Sequence, residues 1–358
     1  MKIISNYFLT ILILCFTFET RIHTQAFDNS ISGRIIDDEN GEALQYVNIY
    51  ITGTTWGTVS NENGTFEIRS VYPAEHEVVI SLIGYEIVRK TVEIGKKDHI
   101  KLKDIRLKPK EYEITGLEIV AEKPDRWLRD LRQFKNLFLG TSIFSMDCEL
   151  KNENYIEFGR PSETVLTAKI NRPLQIVNKA LGFEIYCDLI NFKYDESESR
   201  LQYMITTSFK EMIPLDESQK KRWEENRRKA YKESIDHFLV ALINNSFMEK
   251  GFEVSTSRIP NRNGLDGYRQ KIFASDSLLL ADSLANEFTL KFPYFLQVVY
   301  KKSEFMVNPI SWIRILGREA VLDEFGYPKS IVPFETHGHW SQLGVANMLP
   351  KYYFGVER

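Results

Sequence analysis

Between residues 31 and 107, apolar and polar positions alternate in short runs. Val47, Ile49 and Ile51 fall on one side of such a run, and the same alternation returns at residues 78–82. Successive side chains of a β-strand point to opposite faces, so each run predicts a strand with one buried face. Roughly six or seven strands of the usual length of about five residues fit into this stretch.

Residues that favour tight turns separate these predicted strands. Gly and Asn adopt turn conformations with positive φ more readily than other residues. We therefore expect structural turns at Gly57, Asn61, Asn63, Gly64 and Gly84. Short strands divided by regularly spaced turns are typical of a β-sandwich.

The pattern changes at Trp127. From there to Phe138 apolar residues recur three and four positions apart, which predicts one face of a helix. Strand-like segments follow at residues 185–194 and 201–209. A charged helical pattern then begins at Asp216, a residue type that caps helices, and predicts two helices or one bent helix.

The first residues carry Lys2, an apolar run at residues 7–18 and small side chains near position 26. This order predicts a secretory signal peptide, since the run is shorter than the roughly 20 residues that cross a bilayer. Lipid attachment at Cys15 is the alternative, but Leu14 stands where a small residue is required. We expect an exported protein without a membrane span after cleavage, in the periplasm or at the outer-membrane surface.

Composition narrows the class of protein. The chain is 43% hydrophobic and 27% charged, as globular proteins are. At roughly 100–200 residues per domain, its length predicts two domains. A net charge of −3 does not suggest the basic face that nucleic-acid binding requires, so we expect no nucleic-acid partner.

Four blocks of the first region, at residues 31–37, 43–49, 53–66 and 82–86, occur in an order that resembles the carboxypeptidase-regulatory-like domain. The longest block is similar to the family pattern G-T-x-x-G-T-x-T-D-x-x-G-x-F. This resemblance implies a transthyretin-like β-sandwich that serves as a non-catalytic accessory module. Parts of the second region, such as residues 223–238, resemble the body of a Bacteroidetes-type family of envelope proteins, for which no reaction is assigned.

The expected fold class is therefore an N-terminal all-β transthyretin-like sandwich followed by a larger α+β domain. The expected parts are a signal peptide over residues 1–26, the sandwich over 29–108, a final strand and connector over 109–126, and the α+β domain over 127–358.

Catalytic chemistry is hard to find in the sequence. A zinc carboxypeptidase needs an H-x-x-E pair, and no histidine of the chain has Glu three positions later. Ser234 and His237 are three residues apart but lack the G-x-S-x-G elbow of a hydrolase, so we expect a structural role for His237. No cofactor is expected.

Weaker candidates for a metal site are Glu335, His337 and His339. In a strand the three side chains would share one face. Gly338 in their midst favours an exposed turn instead, and this is the expectation.

Trp56 and Tyr50 are candidates for stacking on a ligand such as a sugar, although aromatic residues of sandwiches usually pack in the core. Cys148 and Cys187 remain after signal removal. An oxidising compartment favours a disulfide between them, whereas their apolar surroundings fit two buried free thiols equally well.

These observations predict a non-enzymatic secreted cell-envelope protein. Its sandwich would serve as an interaction or spacer module and its larger domain would serve binding or assembly, with an envelope protein or a glycan as partner. Two alternatives stay open. One is a carbohydrate-binding or outer-membrane-associated component of a glycan uptake system, and the other is a hydrolase with its site in the larger domain.

Overall fold

The computed structural model describes residues 27–110, 123–260, 270–282, 286–330 and 333–353. The predicted signal peptide and the strand predicted in the connector lie outside these residues. Across the described residues, none of the helices is both long and apolar enough to cross a membrane.

Within residues 27–110 the chain forms eight strands. They are β1 (Ser30–Asp37), β2 (Asn48–Ile51), β3 (Gly57–Val59), β4 (Thr65–Arg69), β5 (Ala74–Ser81), β6 (Val88–Ile94), β7 (His99–Lys101) and β8 (Ile105–Leu107). One sheet pairs β1 with β4 on one side and with β7 and β8 on the other, and the second sheet has the order β3-β2-β5-β6. The all-β prediction is confirmed, with more strands than expected because β7 and β8 are too short to show an alternating pattern.

The core of the sandwich consists of the residues at the buried positions of the alternating runs. Ile31, Ile35, Ile49 and Val78 are at most 1% exposed and belong to one apolar cluster. Burying side chains of this size contributes about 1.5–3 kcal/mol each to stability. The alternation in the sequence thus fixes which face of each strand is buried.

The predicted turns at Asn61, Asn63, Gly64 and Gly84 lie in loops. Asn61 Oδ1 accepts the backbone N–H groups of Asn63 and Thr65, each at 3.0 Å. Gly64 has φ +72°, and a Cβ there would lie 2.4 Å from the carbonyl oxygen of Ile35.

The turn predicted at Gly57 is wrong. Gly57 is the first residue of strand β3, and its φ is not positive. It has a different reason to lack a side chain. A Cβ at this position would lie 3.1 Å from the carbonyl oxygen of Ile49 on the neighbouring strand.

The larger domain begins with one helix, a six-stranded sheet and a second helix. Their bounds are α1 (Asp125–Leu139), β9 (Cys148–Leu150), β10 (Glu157–Ser162), β11 (Val165–Lys169), β12 (Leu174–Asn178), β13 (Phe183–Asp195), β14 (Arg200–Glu211) and α2 (Glu217–Lys232). The sheet order is β10-β11-β13-β12-β9, with β14 along the other side of β13. The predicted helix face is confirmed, since Phe134 and Phe138 of α1 are fully buried in the core of this part.

The remainder builds a second core. Its elements are α3 (Ile235–Ile243), β15 (Phe252–Ser257), β16 (Lys271–Ile272), β17 (Leu279–Asp282), β18 (Glu287–Leu290), β19 (Phe295–Tyr300), β20 (Ile310–Ile315), β21 (Ala320–Leu322), β22 (Phe334–Gly338) and α4 (Trp340–Leu343). Two sheets, β16-β15-β19-β20-β22 and β17-β18-β21, contribute to it together with α3. The C-terminal segment, residues 344–353, then returns to the core that contains Phe134 and Phe138. It contributes Val345 and Ala346 to that core. The α+β prediction for this domain is confirmed.

Candidate functional site

The sandwich docks on the larger domain through buried polar contacts between strands of both. Tyr50 on β2 donates its hydroxyl to Asp188 Oδ2 on β13 at 2.6 Å. Arg89 lies 3.6 Å from the same carboxylate oxygen and donates to Thr206 Oγ1 at 3.2 Å. Burial, followed by the charge of Asp188, raises the pKa of Tyr50. We call Tyr50, Arg89, Asp188 and Thr206 the paired patch, because the buried Asp188 charge has partners from both domains.

Main-chain hydrogen bonds reinforce the docking at Gly53. Its N–H donates to the carbonyl of Thr207 at 2.5 Å, and its own carbonyl accepts the N–H of Lys351 at 2.6 Å. Gly53 has φ +76°, and a Cβ there would lie 3.2 Å from the side chain of Lys351. The turn at Gly53 therefore joins β14 and the C-terminal segment to the sandwich.

Aromatic rings from both domains pack beside this turn. Tyr352 stacks on Tyr72 with ring centroids 4.9 Å apart and planes 9° apart. The ring centroids of Trp56 and Tyr352 are 5.6 Å apart, and those of Phe325 and Tyr72 are 5.1 Å apart. Such pairs contribute about 0.5–1.5 kcal/mol each beyond the burial of their area. We call Trp56, Tyr72, Phe325 and Tyr352 the aromatic cluster.

These contacts correct the candidate ligand-stacking role of Tyr50. Tyr50 is 9% exposed and its hydroxyl is bound to Asp188. The ring of Trp56 is covered in part by Tyr72, His76 and Tyr352. Tyr50 is therefore buried in the domain interface without a free face for a sugar, whereas Trp56 is partly exposed and packs on Tyr352 of the larger domain.

A cleft of about 760 Å³ opens between the two domains next to the aromatic cluster. Its walls include β5, β6 and the Gly53 turn from the sandwich, and β14, the start of α3 and the C-terminal segment from the larger domain. Seven carboxylate side chains and three lysines line it, so acidic groups predominate. We refer to this cavity as the interdomain cleft.

Several of the charged groups in the cleft are bound to neighbours. Lys329 lies 2.7 Å from Glu287 and 3.5 Å from Glu75, and so links the two domains. Glu77 accepts from the Thr52 hydroxyl at 2.7 Å and lies 3.3 Å from Arg89. These contacts are structural, because each charge is already compensated.

Asp323 is likewise held in place. Its Oδ1 accepts the N–H groups of Phe325 and Tyr327 at 2.9 and 2.8 Å, and its Oδ2 accepts the Tyr352 hydroxyl at 3.3 Å. Burial raises the pKa of Asp323 although these hydrogen bonds act in the opposite direction.

Asp236 and Lys351 differ from the other groups deep in the cleft. Within the described part of the chain, neither side chain has an ion-pair partner within 4.0 Å or a hydrogen bond. Burial raises the pKa of Asp236 to about 6, while the charge of Lys351 acts in the opposite direction. Burial also lowers the pKa of Lys351, against the attraction of Asp323 and Asp236. The two opposite charges thus influence each other across the cleft without contact.

Backbone structure places both groups. Asp236 lies in the first turn of α3, which Ser234 caps by accepting the N–H of His237 at 3.1 Å. Lys351 follows Pro350 in the C-terminal segment, and its backbone is bound to Gly53. The sequence did not predict a role for either group. The one signal that could have drawn attention to this site is Lys351, a single charged residue within an apolar and aromatic segment.

The candidate metal ligands do not converge. His337 Nε2 lies 3.0 Å from Glu335 Oε1, and the other oxygen of Glu335 binds Arg314. His339 instead lies 3.1 Å from the buried Glu233. Among the residues that the structure describes, no group of three side chains could hold a metal ion.

The exposed turn expected at this segment is wrong. Glu335 and His337 lie on β22, which pairs with β20 and is partly buried. Gly338 closes the strand with φ +74°, where a Cβ would lie 2.3 Å from the carbonyl oxygen of Ile310. The glycine ends the strand and does not prevent it.

Cys148 and Cys187 are both free thiols. Cys148 pairs with Asn178 and Cys187 with Leu174, at opposite ends of β12. Four residues of strand separate these positions by about 13 Å, well beyond the roughly 7 Å that a disulfide spans between Cα atoms. The disulfide alternative is therefore wrong in this fold, and burial raises the pKa of the Cys148 thiol to about 12.

His237 is placed as a structural side chain. It is 4% exposed, its Nδ1 lies 3.0 Å from the carbonyl oxygen of Lys232, and its ring centroid lies 4.9 Å from that of Phe252. It lies in the same helix as Asp236 but does not line the interdomain cleft.

Residues 31–118 match the family model of the CarboxypepD_reg-like domain. The first domain is a CarboxypepD_reg-like domain. This confirms the resemblance carried by the four sequence blocks. The match ends before the larger domain on which the CarboxypepD_reg-like domain docks. A comparison with curated proteins returns no match.

Solved structures give only distant likenesses. A type II cohesin–X-dockerin complex from Acetivibrio cellulolyticus is 25% identical over 32% of this chain and 76% of that chain, with a TM-score of 0.22. A candidate carbohydrate-binding protein from Bacteroides uniformis is 10% identical over 83% of this chain and 99% of that chain, with a TM-score of 0.20. A candidate membrane-associated protein of unknown function from Bacteroides fragilis is 10% identical over 52% of this chain and 82% of that chain, with a TM-score of 0.19. Scores this low carry no functional argument.

Proposed function

We propose that this chain is a non-enzymatic, exported envelope protein that binds a ligand in the interdomain cleft. The observation that carries the proposal is the cleft itself, a cavity of about 760 Å³ with walls from both domains. This volume falls within the roughly 300–1,000 Å³ of small-molecule sites, which occur preferentially at domain interfaces. The predicted signal peptide supports export.

The CarboxypepD_reg-like domain acts here as an interaction module rather than as a spacer. A spacer needs few contacts with the domain that it carries. This domain instead buries Tyr50 against Asp188 and exchanges main-chain hydrogen bonds through Gly53. The docked sandwich provides one wall of the binding site.

The state of the charged groups favours binding over catalysis. Catalytic acids, bases and nucleophiles are oriented by a neighbouring hydrogen-bond partner. Asp236 and Lys351 have no such partner among the described residues, so nothing fixes them for proton transfer. They are suited to complete their interactions with a ligand.

A hydrolase remains the second candidate because of one observation. Burial raises the pKa of Asp236 to about 6, and perturbed carboxyl groups in clefts often mark general acids or bases. The reaction would then take place in the interdomain cleft and not near His237, His337 or His339.

A ligand screen on the purified mature protein separates the two candidates. Peptide, amino-acid and glycan libraries are tested by thermal shift, and each positive mixture is then incubated and analysed by mass spectrometry for conversion. We expect a raised Tm without conversion, and a weaker shift in Asp236→Asn. Conversion that a single substitution abolishes would establish a hydrolase and refute the proposal.

A further inference from the structure

We infer that the interdomain cleft recognises a zwitterionic ligand of the amino-acid or short-peptide class, with its ammonium group at Asp236 and its carboxylate at Lys351. The inference deepens the proposed binding function and depends on it.

The charged groups of the cleft differ in whether they have partners. Glu77 and Asp323, deep in the cleft, have hydrogen-bond partners, and Glu93 and Glu324 are exposed to water at its rim. Within the described residues, only Asp236 and Lys351 combine a position deep in the cleft with a side chain that lacks both a hydrogen bond and an ion pair. One acceptor and one donor of opposite charge are therefore open to a ligand.

The fold keeps Asp236 and Lys351 from pairing with each other. Lys351 is anchored on Gly53 by its backbone N–H, and the adjacent Tyr352 stacks on Tyr72. Asp236 is fixed in the first turn of α3. Buried charges without partners are costly, and a flexible lysine would ordinarily close such a gap. The Lys351 side chain also lies along Gly53, with Cγ, Cδ and Cε 3.2–3.3 Å from the position that a Gly53 Cβ would take, and its ammonium group is more than 4.0 Å from the Asp236 carboxylate.

The two opposite charges of the cleft select the charge of the ligand. An ammonium group donates charge-assisted hydrogen bonds to a carboxylate, and a carboxylate accepts them from a lysine. A simple cation would be repelled by Lys351, and a simple anion would be repelled by Asp236 and Asp323. A neutral sugar would leave Asp236 and Lys351 without a hydrogen-bond partner of opposite charge. A zwitterion compensates both at once, and about 760 Å³ leaves room for a short peptide.

The test uses a panel of dipeptides with acidic, basic, aliphatic and aromatic side chains, measured one by one by isothermal titration calorimetry on the mature protein. Each dipeptide is compared with its N-acetyl and its C-amide derivative. A hydrogen bond to a charged group contributes about 1.5–3 kcal/mol, so each cap is expected to weaken binding by about 10- to 100-fold.

Two variants assign the contacts. Asp236→Asn should abolish the discrimination against N-acetyl derivatives, and Lys351→Met should abolish the discrimination against C-amides while its unbranched side chain still packs on Gly53. Glu217→Gln and Lys220→Met are the matched controls, because they change an exposed carboxylate in the first turn of α2 and an exposed lysine of the same helix. Both controls should bind as the unmodified protein does.

Equal affinity for free and capped dipeptides, or no binding by any member of the panel, overturns the inference even if both variants fail to fold. Binding of a glycan that Asp236→Asn leaves unchanged also overturns it but leaves the proposed binding function in place. Conversion of a dipeptide would refute the proposed function itself.

Discussion

Two places on one domain boundary treat charge in opposite ways. In the paired patch, Asp188 accepts from Tyr50 at 2.6 Å and lies 3.6 Å from Arg89. In the interdomain cleft, Asp236 and Lys351 carry opposite charges and make no contact with each other. Both places lie between the CarboxypepD_reg-like domain and the larger domain.

The paired patch attaches the two domains, whereas the charges of the cleft are those that we propose bind a ligand. A buried charge with good partners recovers much of its desolvation cost and fixes the geometry of the groups around it. A buried charge without a partner keeps that cost until a ligand relieves it, and the ligand then stabilises the folded protein. The paired patch therefore holds the domains together, and the cleft remains available.

The largest expected effect is that of Asp188→Ala. It leaves the Tyr50 hydroxyl and the Arg89 guanidinium without their buried acceptor, so the free energy of unfolding should fall by about 3–5 kcal/mol. Urea titration measures it. Glu184→Ala on the same strand is the control, since Glu184 forms only a partly exposed pair with Lys210 and should contribute less than about 1 kcal/mol. Equal effects of the two substitutions would show that the paired patch does not hold the domains.

Tyr352→Ala should have the next largest effect. The substitution removes the ring that stacks on Tyr72 and contacts Trp56, which should lower the free energy of unfolding by about 2–4 kcal/mol. Tyr352→Phe keeps the ring and loses only the hydroxyl bound to Asp323, so it should cost about 1 kcal/mol or less. Similar losses in both variants would assign the stability to the hydroxyl rather than to the aromatic cluster.

Asp236→Asn should act in the opposite direction and stabilise the protein. The pKa of Asp236 is raised from 3.8 to about 6, so the folded state loses stability as the pH rises through this window and stays less stable above it. Asn resembles the protonated form and should raise the free energy of unfolding at pH 7 by about 1–2 kcal/mol, less than the full shift because the side chain contacts solvent.

The gain from Asp236→Asn should shrink as the pH falls from 6 to 3.8 and vanish below it, which thermal unfolding at several pH values measures. A variant that is less stable than the unmodified protein at pH 7 would show that Asp236 is already compensated, as Asp188 is.

Tyr50→Phe should have the smallest effect. It removes one hydrogen bond of Asp188 and leaves Arg89 in place, so the expected loss is about 1 kcal/mol by urea titration. A loss as large as that of Asp188→Ala would mean that the hydroxyl, and not the network around the carboxylate, fixes the domains.

Much of the fold could be predicted because its signals are local. Alternation at Val47, Ile49 and Ile51 predicted a strand with one buried face, and β2 contains Ile49 and Ile51 at 1% and 0% exposure. Asp216 caps α2 as expected, since its Oδ1 accepts the N–H of Gln219 at 2.7 Å. Periodicity and capping depend on neighbours within a few residues, and these neighbours are visible in the sequence.

Other predictions failed where distant segments decide. Gly57 lies in a strand because β3 pairs with β2, and the segment with His337 pairs with β20 instead of forming an exposed turn. The disulfide, which the sequence left open, is excluded because Cys148 on β9 and Cys187 on β13 pair with opposite ends of β12. In each case the partner is far along the chain or on another strand.

The sequence by itself determined the all-β first domain, its family and the helices of the larger domain, because hydrophobic period and turn chemistry act over a few residues. The tertiary structure alone decided that Trp56 and Tyr50 bind the second domain and that Asp236 and Lys351 face one cleft. Their partners lie far apart in the chain, and the burial and spacing that alter a charge exist only once both domains have packed.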